Sequence, residues 1–261
     1  MQQAYENAGI GSVVNFEPRV AIVIPVFRHG ALLPEAIESG LAQQASFPIH
    51  VIVVNDGCPY PETDAVGTEY ALSHPDRLTY LRKPNGGLSS ARNHGIRYAL
   101  RRWPSLEAIF LLDADNRLRS TAIAKAMALM GTTNCGWVYP SLDMFGLRIT
   151  ADFGGDYSRL VHTAMNTCEA GSLISRRVFD VGVMFDEGMR LGFEDWDFFL
   201  SAAASGFVGR NLDDFGFLYR KRPESMLADS SRDQDEIKAG MLRKHKALVS
   251  PKNLLCLEQT E

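Results

Sequence analysis

Residues 19–27 read RVAIVIPVF. A strand with one wet face alternates apolar and polar residues; this run is apolar and largely β-branched from Val20 onward, as expected of a strand covered on both faces. A helical stripe follows, with Leu33, Ile37 and Leu41 recurring at four-residue spacing within LLPEAIESGLAQQ (32–44). The alternation then repeats. IHVIVVND (49–56) reads as a strand, PETDAVGTEYALSH (61–74) as a helix and RLTYLRKP (77–84) as a short strand. GLSSARNHGIRYALRRW (87–103) reads as a helix, EAIFLLD (107–113) as a strand, and TAIAKAMALMG (121–131) as a helix stopping at Gly131. Strand and helix in strict alternation predict an α/β fold, a mostly parallel sheet with helices on both faces.

After residue 131 the pattern loosens into a smaller α+β region. GWVYPSLDMFG (136–146) reads as a strand, SRLVHTAMN (158–166) as a short helix, and EAGSLISRRVFDVG (169–182) as a strand running into a helix. EDWDFFLSAAASG (194–206) is a helix that begins with acids, which the helix dipole favours. GFLYRKRPES (216–225) is a basic strand or loop, and SRDQDEIKAGMLRKHKAL (231–248) a charged helix. The chain divides into an arm or linker at 1–17, a first half at 18–131, a second half at 132–227 and a C-terminal helical segment at 228–261.

With 261 residues, 46% hydrophobic, 22% charged and a net charge of −4, the chain can bury a core and lacks the basic excess of a nucleic-acid binder. No apolar run approaches the ~18 residues of a membrane span. The N-terminus lacks the basic and apolar regions of a secretory signal. Cys58, Cys135, Cys168 and Cys256 are too dispersed for a CxxC site and read as reduced thiols.

Ligands of open α/β sheets gather beyond the carboxyl ends of the strands. Those ends read Pro25-Val26-Phe27, Asn55-Asp56-Gly57 and Asp113-Ala114-Asp115. Asp113 and Asp115 are either a soluble way to end a strand or ligands for a hard divalent cation held together with substrate phosphates. Asp56 is either a turn acid before Gly57 or an acceptor for a base N–H or ribose hydroxyl. Arg92 follows Gly86 and Gly87 at a helix start, a setting suited to phosphate or to a surface arginine. Glu194 and Asp195 are either dipole-offsetting acids, with Trp196 and Phe199 in the core, or the place of a general base.

Five segments in order, VAIVIPVF (20–27), VIVVNDG (51–57), NGGLSSARNHGI (85–96), FLLDADN (110–116) and GFEDWDFFL (192–200), resemble the inverting nucleotide-sugar glycosyltransferases of family 2, which have the GT-A fold. The resemblance covers residues 18–227. It implies a Rossmann-like donor half at 18–131 and an acceptor-binding, catalytic half at 132–227. It places Pro25, Val26 and Phe27 at the nucleoside and Asp56 at the base, most often uracil. Arg92 falls near the base and the metal-binding acids. Asp113 is implied at the ribose or metal, with Ala114 beside it, and Asp115 as metal ligand. Asp195 is implied as catalytic base, with Glu194, Trp196 and Asp197 on the acceptor side. The implied cofactor is Mn2+ or Mg2+, the donor a nucleoside-diphosphate sugar such as a UDP-sugar, and the acceptor a glycan or lipid-linked sugar. The implied location is cytoplasmic, with peripheral contact at the inner face of the membrane left open.

Asn55 stands where the family often has a first aspartate, and Cys58 where it has serine. A QxxRW motif is absent, which argues against a processive synthase. Arg220, Lys221 and Arg222 read equally as extra positive charge at the site or as a solvated basic turn. His162 and His245 read as satisfied histidines rather than ligands. Two alternatives remain. One is a non-catalytic or assembly-dependent glycosyltransferase-like module. The other is a sugar nucleotidyltransferase, for which PVFRHGALLP (25–34) supplies only Gly30 and Arg28 of the glycine-rich basic signature required.

Overall fold

The computed structural model describes residues 17–147, 149–152, 154–222 and 234–260. Most of the expected arm at 1–17 and the end of the basic segment after Arg222 lie outside these residues. Every residue of β1 (Val20–Val26) and β2 (Ile49–Asn55) is buried. With β3 (Leu78–Arg82) and β4 (Ala108–Leu111) they form a parallel block in the order β3-β2-β1-β4. The order reverses at β1, because β2 and β3 build outward on one side and β4 returns to the other. A crevice at the carboxyl ends of β1 and β4 is the geometric result.

The sheet continues beyond β4 without a break. β8 (Leu173–Ser175) pairs antiparallel with β4 and with β6 (Trp137–Gly146), and β6 runs parallel to β9 (Gly209–Lys221). Two short strands complete it: β5 (Arg117–Leu118) antiparallel to β9, and β7 (Thr150–Asp152) antiparallel to β6. The expected parallel sheet is thus parallel in its first half and mixed in its second, and both halves share it.

Side chains alternate across a strand, and β1 divides its residues accordingly. Val20, Ile22, Ile24 and Val26 pack with α1 (Leu33–Leu41) and α4 (Ala122–Thr133). Ala21 and Val23 pack on the other face with α3 (Leu88–Arg102), α6 (Arg176–Asp180) and α7 (Glu194–Ala204). The helix α2 (Pro61–Ser73) covers β3 on the first face, where Ala71 joins the core with Tyr80. α4 runs past Gly131 to Thr133. Its stop is Asn134, which takes the left-handed conformation at φ 55° and returns its N–H to Met130 O, a cap asparagine tolerates nearly as well as glycine.

A short helix, α5 (Arg159–Ala164), is capped by Ser158, whose hydroxyl accepts from Val161 N–H. Two helices close the described chain, α8 (Gln234–Lys244) and α9 (Pro251–Thr260), both within the segment 228–261 expected to be helical. Met241 of α8 packs on Trp196 and Leu200 of α7. No helix among the described residues is long and apolar enough to cross a membrane.

Gly95 sets how closely α3 lies on the sheet. A Cβ there would meet Val23 Cγ1 at 2.5 Å, so the glycine's helix penalty is offset by close packing. Gly95→Val is expected to destabilise by about 1–3 kcal/mol through overpacking. The measurement is a shift of the urea midpoint at unchanged m-value.

Candidate active site

The chain leaves β4 in a turn rather than an extended strand, with Asn116 N–H closing on Asp113 O at 3.0 Å. Asp113 and Asp115 therefore face different cations. Asp113 Oδ1 accepts from Arg92 Nη2 at 2.9 Å. Asp115 Oδ2 meets Arg222 Nη2 at 2.6 Å. Ala114 between them is buried in the core. Burial, and then the Asp113 charge, raise the Asp115 carboxyl above its ordinary value against the pull of Arg222 and His29.

Arg92 is 1% exposed and joins two halves of the site. Its Nη1 donates to Glu194 Oε1 at 2.8 Å while Nη2 holds Asp113, and its guanidinium lies over the Phe185 ring at 5.2 Å. Burial works against the charge, but Asp113 and then Glu194 outweigh it and hold the guanidinium above its usual value. Instead of a phosphate, this arginine faces carboxylates. Glu194 is correspondingly buried on Arg92 and does not face an acceptor.

The loop before α3 is likewise closed by the protein itself. Gly86 N–H and Gly87 N–H both donate to the Asp56 carboxylate, at 3.0 and 2.7 Å, joined by Asn85 Nδ2 at 3.1 Å and by Lys83. Asp56 is buried and acts as the anion at the N-terminus of α3. Asn55, at the place of the family's frequent first aspartate, donates to Tyr80 and Asp64. Cys58 packs against Thr63 and takes the Arg28 N–H. Pro25 and Val26 do not line an open pocket, since central β1 is covered on both faces; only Phe27 of the three is partly exposed.

The helix α7 starts abruptly. Gly192 and Phe193 both have positive φ, 102° and 61°, the second costing about 1–2 kcal/mol for a residue with a side chain. Asp195 then sits in the first turn. Its Oδ1 accepts from Trp196 N–H at 2.7 Å and its Oδ2 from Asn166 Nδ2 at 3.1 Å. Burial, and then the Glu194 charge, push Asp195 well above the ordinary carboxylate range, against Arg92, Trp196 N–H and Asn166. Glu169 beside it is pushed up by burial and then by Asp195 and Asp113. These carboxyls titrate as a group. Tyr219 of β9 faces the same acids, and its phenol is raised first by the Glu169 charge and then by burial.

Trp196 and Asp197 depart from their expected acceptor-side positions. Trp196 is buried against α8, and its indole N–H donates to His162 O at 2.7 Å. Asp197 is fully buried, with one oxygen on His245 Nε2 at 2.8 Å and the other on Lys244 Nζ at 2.7 Å. Helix geometry is the cause: each residue turns about 100°, so neighbours of Asp195 cannot share its direction. His245 is therefore a docking residue. His162, bonded through Nδ1 to Thr167 at 2.7 Å and pushed down to about 4 by burial, is a structural one.

Asn166, Glu169 and Tyr219 were not singled out by sequence. The first two lie in an irregular loop with no periodicity. Tyr219 carried a usable signal, since it shares a β9 face with buried Phe217 and precedes Arg220 by one residue. The three basic residues also separate in role. Arg220 is fixed by Asp115 O, by Glu35 and by Phe145, whereas Lys221 lies over the Tyr219 ring at 4.5 Å. Arg222 alone reaches an acidic side chain of the strand-end turn, at Asp115.

Asp197→Ala leaves His245 without its acceptor, while Lys244 can turn to water. The expected loss is about 1–3 kcal/mol, measured by urea unfolding, with faster amide exchange in α8.

Residues 21–177 match the family model described as Glycosyl transferase family 2. Among curated relatives, the minor teichoic acid biosynthesis protein GgaB of Bacillus subtilis (strain 168) is 37% identical over 103 residues, 39% of this chain and 11% of that protein. The chain spans between 11% and 63% of the length of the curated relatives it matches. In three dimensions it resembles residues 1–349 of S. aureus TarS in complex with UDP-GlcNAc, with TM-score 0.65 and 17% identity over 80% of this chain and 60% of that one. It also resembles the mannosyltransferase PcManGT of Pyrobaculum calidifontis in complex with GDP-Man and Mn2+, with TM-score 0.57 and 15% identity over 94% and 74% of the two chains. Both likenesses concern the GT-A fold. With the family model spanning more than half of its length, the chain belongs to glycosyl transferase family 2.

Proposed function

We propose that the chain transfers a sugar from a nucleoside-diphosphate sugar, a UDP-sugar first among them, to a hydroxyl of a glycan or lipid-linked acceptor with inversion at the anomeric carbon. The observation that carries this reading is the Arg92 bridge. One buried guanidinium links Asp113, at the carboxyl end of β4, to Glu194, next to Asp195 on α7. It thereby ties a donor site over residues 18–131 to a base and acceptor region over 132–227. The nucleotide-sugars and nucleotides bound by the TarS and PcManGT structures support the donor class.

Asp195 is the general base. Asn166 Nδ2 and Trp196 N–H hold its carboxylate, and its raised proton affinity suits it to accept a hydroxyl proton near neutral pH. The acceptor hydroxyl gives that proton to Asp195 as its oxygen bonds to the anomeric carbon. The bond from that carbon to the diphosphate breaks on the opposite face, and the nucleoside diphosphate leaves with the electron pair. Asp56 keeps the Gly86–Gly87 loop shaped beneath the base rather than offering it a free carboxylate.

Asp113 and Asp115 suit a Mn2+ or Mg2+ that draws further ligands from a diphosphate. A self-sufficient centre does not fit, since no three His, Cys, Asp or Glu side chains among the described residues cluster to hold one. When bound, such an ion neutralises negative charge on the departing diphosphate.

Asp195→Asn is expected to lower kcat by about 10²–10⁴-fold while UDP binding by calorimetry persists. Full transfer by that variant rejects the base. In wild type the acid limb of kcat/KM lies above the ordinary carboxylate range, because activity appears only as Asp195 deprotonates. Asn166→Ala removes a bond that favours the charged form and is expected to move the limb to higher pH. Asp115→Ala is expected to lose the Mn2+ enhancement of UDP binding, and equal enhancement in the variant removes Asp115 from the metal site.

A further inference from the structure

The two acids of the strand-end turn have cations of unlike character. The partner of Asp113, Arg92, is 1% exposed, holds Glu194 as well, and lies against Phe185. It cannot leave without baring two carboxylates. The partner of Asp115 is at the mouth of the site. The Arg222 side chain is 22% exposed and that of Asp115 15%. Among the described residues, Arg222 meets the His29 ring besides Asp115, with Nη1 3.4 Å from Nδ1 and Nη2 3.3 Å from Nε2. Burial, and then Arg222 itself, lower the proton affinity of His29, so the ring offers a neutral surface and no competing charge.

Arg220, two residues earlier, makes the contrast plain. Its backbone N–H donates to Asn116, its Nε to Asp115 O and its Nη2 to Glu35, each at 2.8–2.9 Å, and its guanidinium packs on Phe145. Arg220 braces the turn. Arg222 neutralises the acid that the turn presents, at Asp115 Oδ2.

The geometry points to Arg222 as an exchangeable counter-charge that covers Asp115 before the donor binds and moves to the diphosphate of the donor when Asp115 is given up to a divalent cation. This rests on the donor reading above. The exchange is economical in charge. A nucleoside diphosphate and a divalent cation arrive together, Asp115 passes from a monovalent to a divalent partner, and the freed guanidinium finds phosphate oxygens. Arginine suits the second station as well as the first, because its planar fork matches carboxylate and phosphate alike. No covalent step is involved. The consequence is ordered binding: Asp115 resists a cation offered alone and yields to one offered with the diphosphate.

The test compares wild type with Arg222→Gln, using Mn2+ alone and UDP with saturating Mn2+ as probes. Mn2+ affinity is read by electron paramagnetic resonance and UDP affinity by calorimetry. Loss of a charge-assisted contact predicts Mn2+ alone binding about tenfold tighter to the variant, and UDP with Mn2+ about tenfold weaker. Unchanged Mn2+ affinity overturns the proposal, because Arg222 then does not guard Asp115. Tighter Mn2+ with unchanged or tighter UDP also overturns it, since Arg222 is then only an obstacle. Arg222→Lys, which keeps the charge, is expected to recover part of the UDP affinity, and recovery equal to none counts against transfer to phosphate. Wild type that binds no UDP with Mn2+ rejects the donor reading itself, an outcome separate from these.

Discussion

Arg92 is the constraint on which the site depends. A guanidinium at 1% exposure, held between Asp113 and Glu194, is acceptable in the interior only because both carboxylates are within hydrogen-bond distance. The dependence is mutual. Without the arginine, Glu194 loses its partner, and Asp195 and Glu169, both of which Arg92 pulls down, would take up a proton more readily. One cation therefore holds the turn after β4 to the start of α7 and offsets part of the rise that burial and Glu194 impose on Asp195. The parallel sheet explains where this happens. Reversal of strand order at β1 opens the crevice, and Gly95 brings α3 close enough to the sheet for Arg92 to reach the strand end.

Electrostatics in the rest of the site follow a similar rule, in which backbone and side chains occupy the places where a ligand is naively expected. The N–H groups of Gly86 and Gly87 are spent on Asp56, and Asp115 is spent on Arg222. The first arrangement is buried, with Lys83, Asn85 and two glycines converging on one carboxylate, and reads as architecture. The second is part-exposed, with Arg222 shared between Asp115 and the His29 ring, and reads as a placeholder.

What could be read from sequence divides along the range of the interactions. Strands such as VAIVIPVF (20–27) are marked by local hydrophobic pattern, and helices by their stripes, so the α/β alternation was legible; helix ends were less so, as Asn134 rather than Gly131 shows. The type of the acids was legible too, but not their partners. Arg92 lies 102 positions from Glu194, and Asp197 lies 48 from His245, distances that no local pattern spans. Reading GFEDWDFFL as one functional patch failed because a helix sends consecutive side chains in different directions. Glu194 went to Arg92, Trp196 to the α8 side and Asp197 to His245, while Asp195 is held by Asn166 and by Trp196 N–H. Asn166 and Glu169 were silent because irregular loops have no period to read.

The docking of Asp197 onto Lys244 and His245 bears on how such chains can recombine. The anchor of α8 lies in the first turn of α7, two residues after Asp195. A crossover between relatives placed between α7 and Lys244 would separate Asp197 from Lys244 and His245. The hybrid would inherit a bare interior acid two residues from Asp195. Exchange of C-terminal segments is therefore restricted to donors that bring a matching cation and imidazole at these positions. Drift in the C-terminal segment is thereby coupled to the first turn of α7.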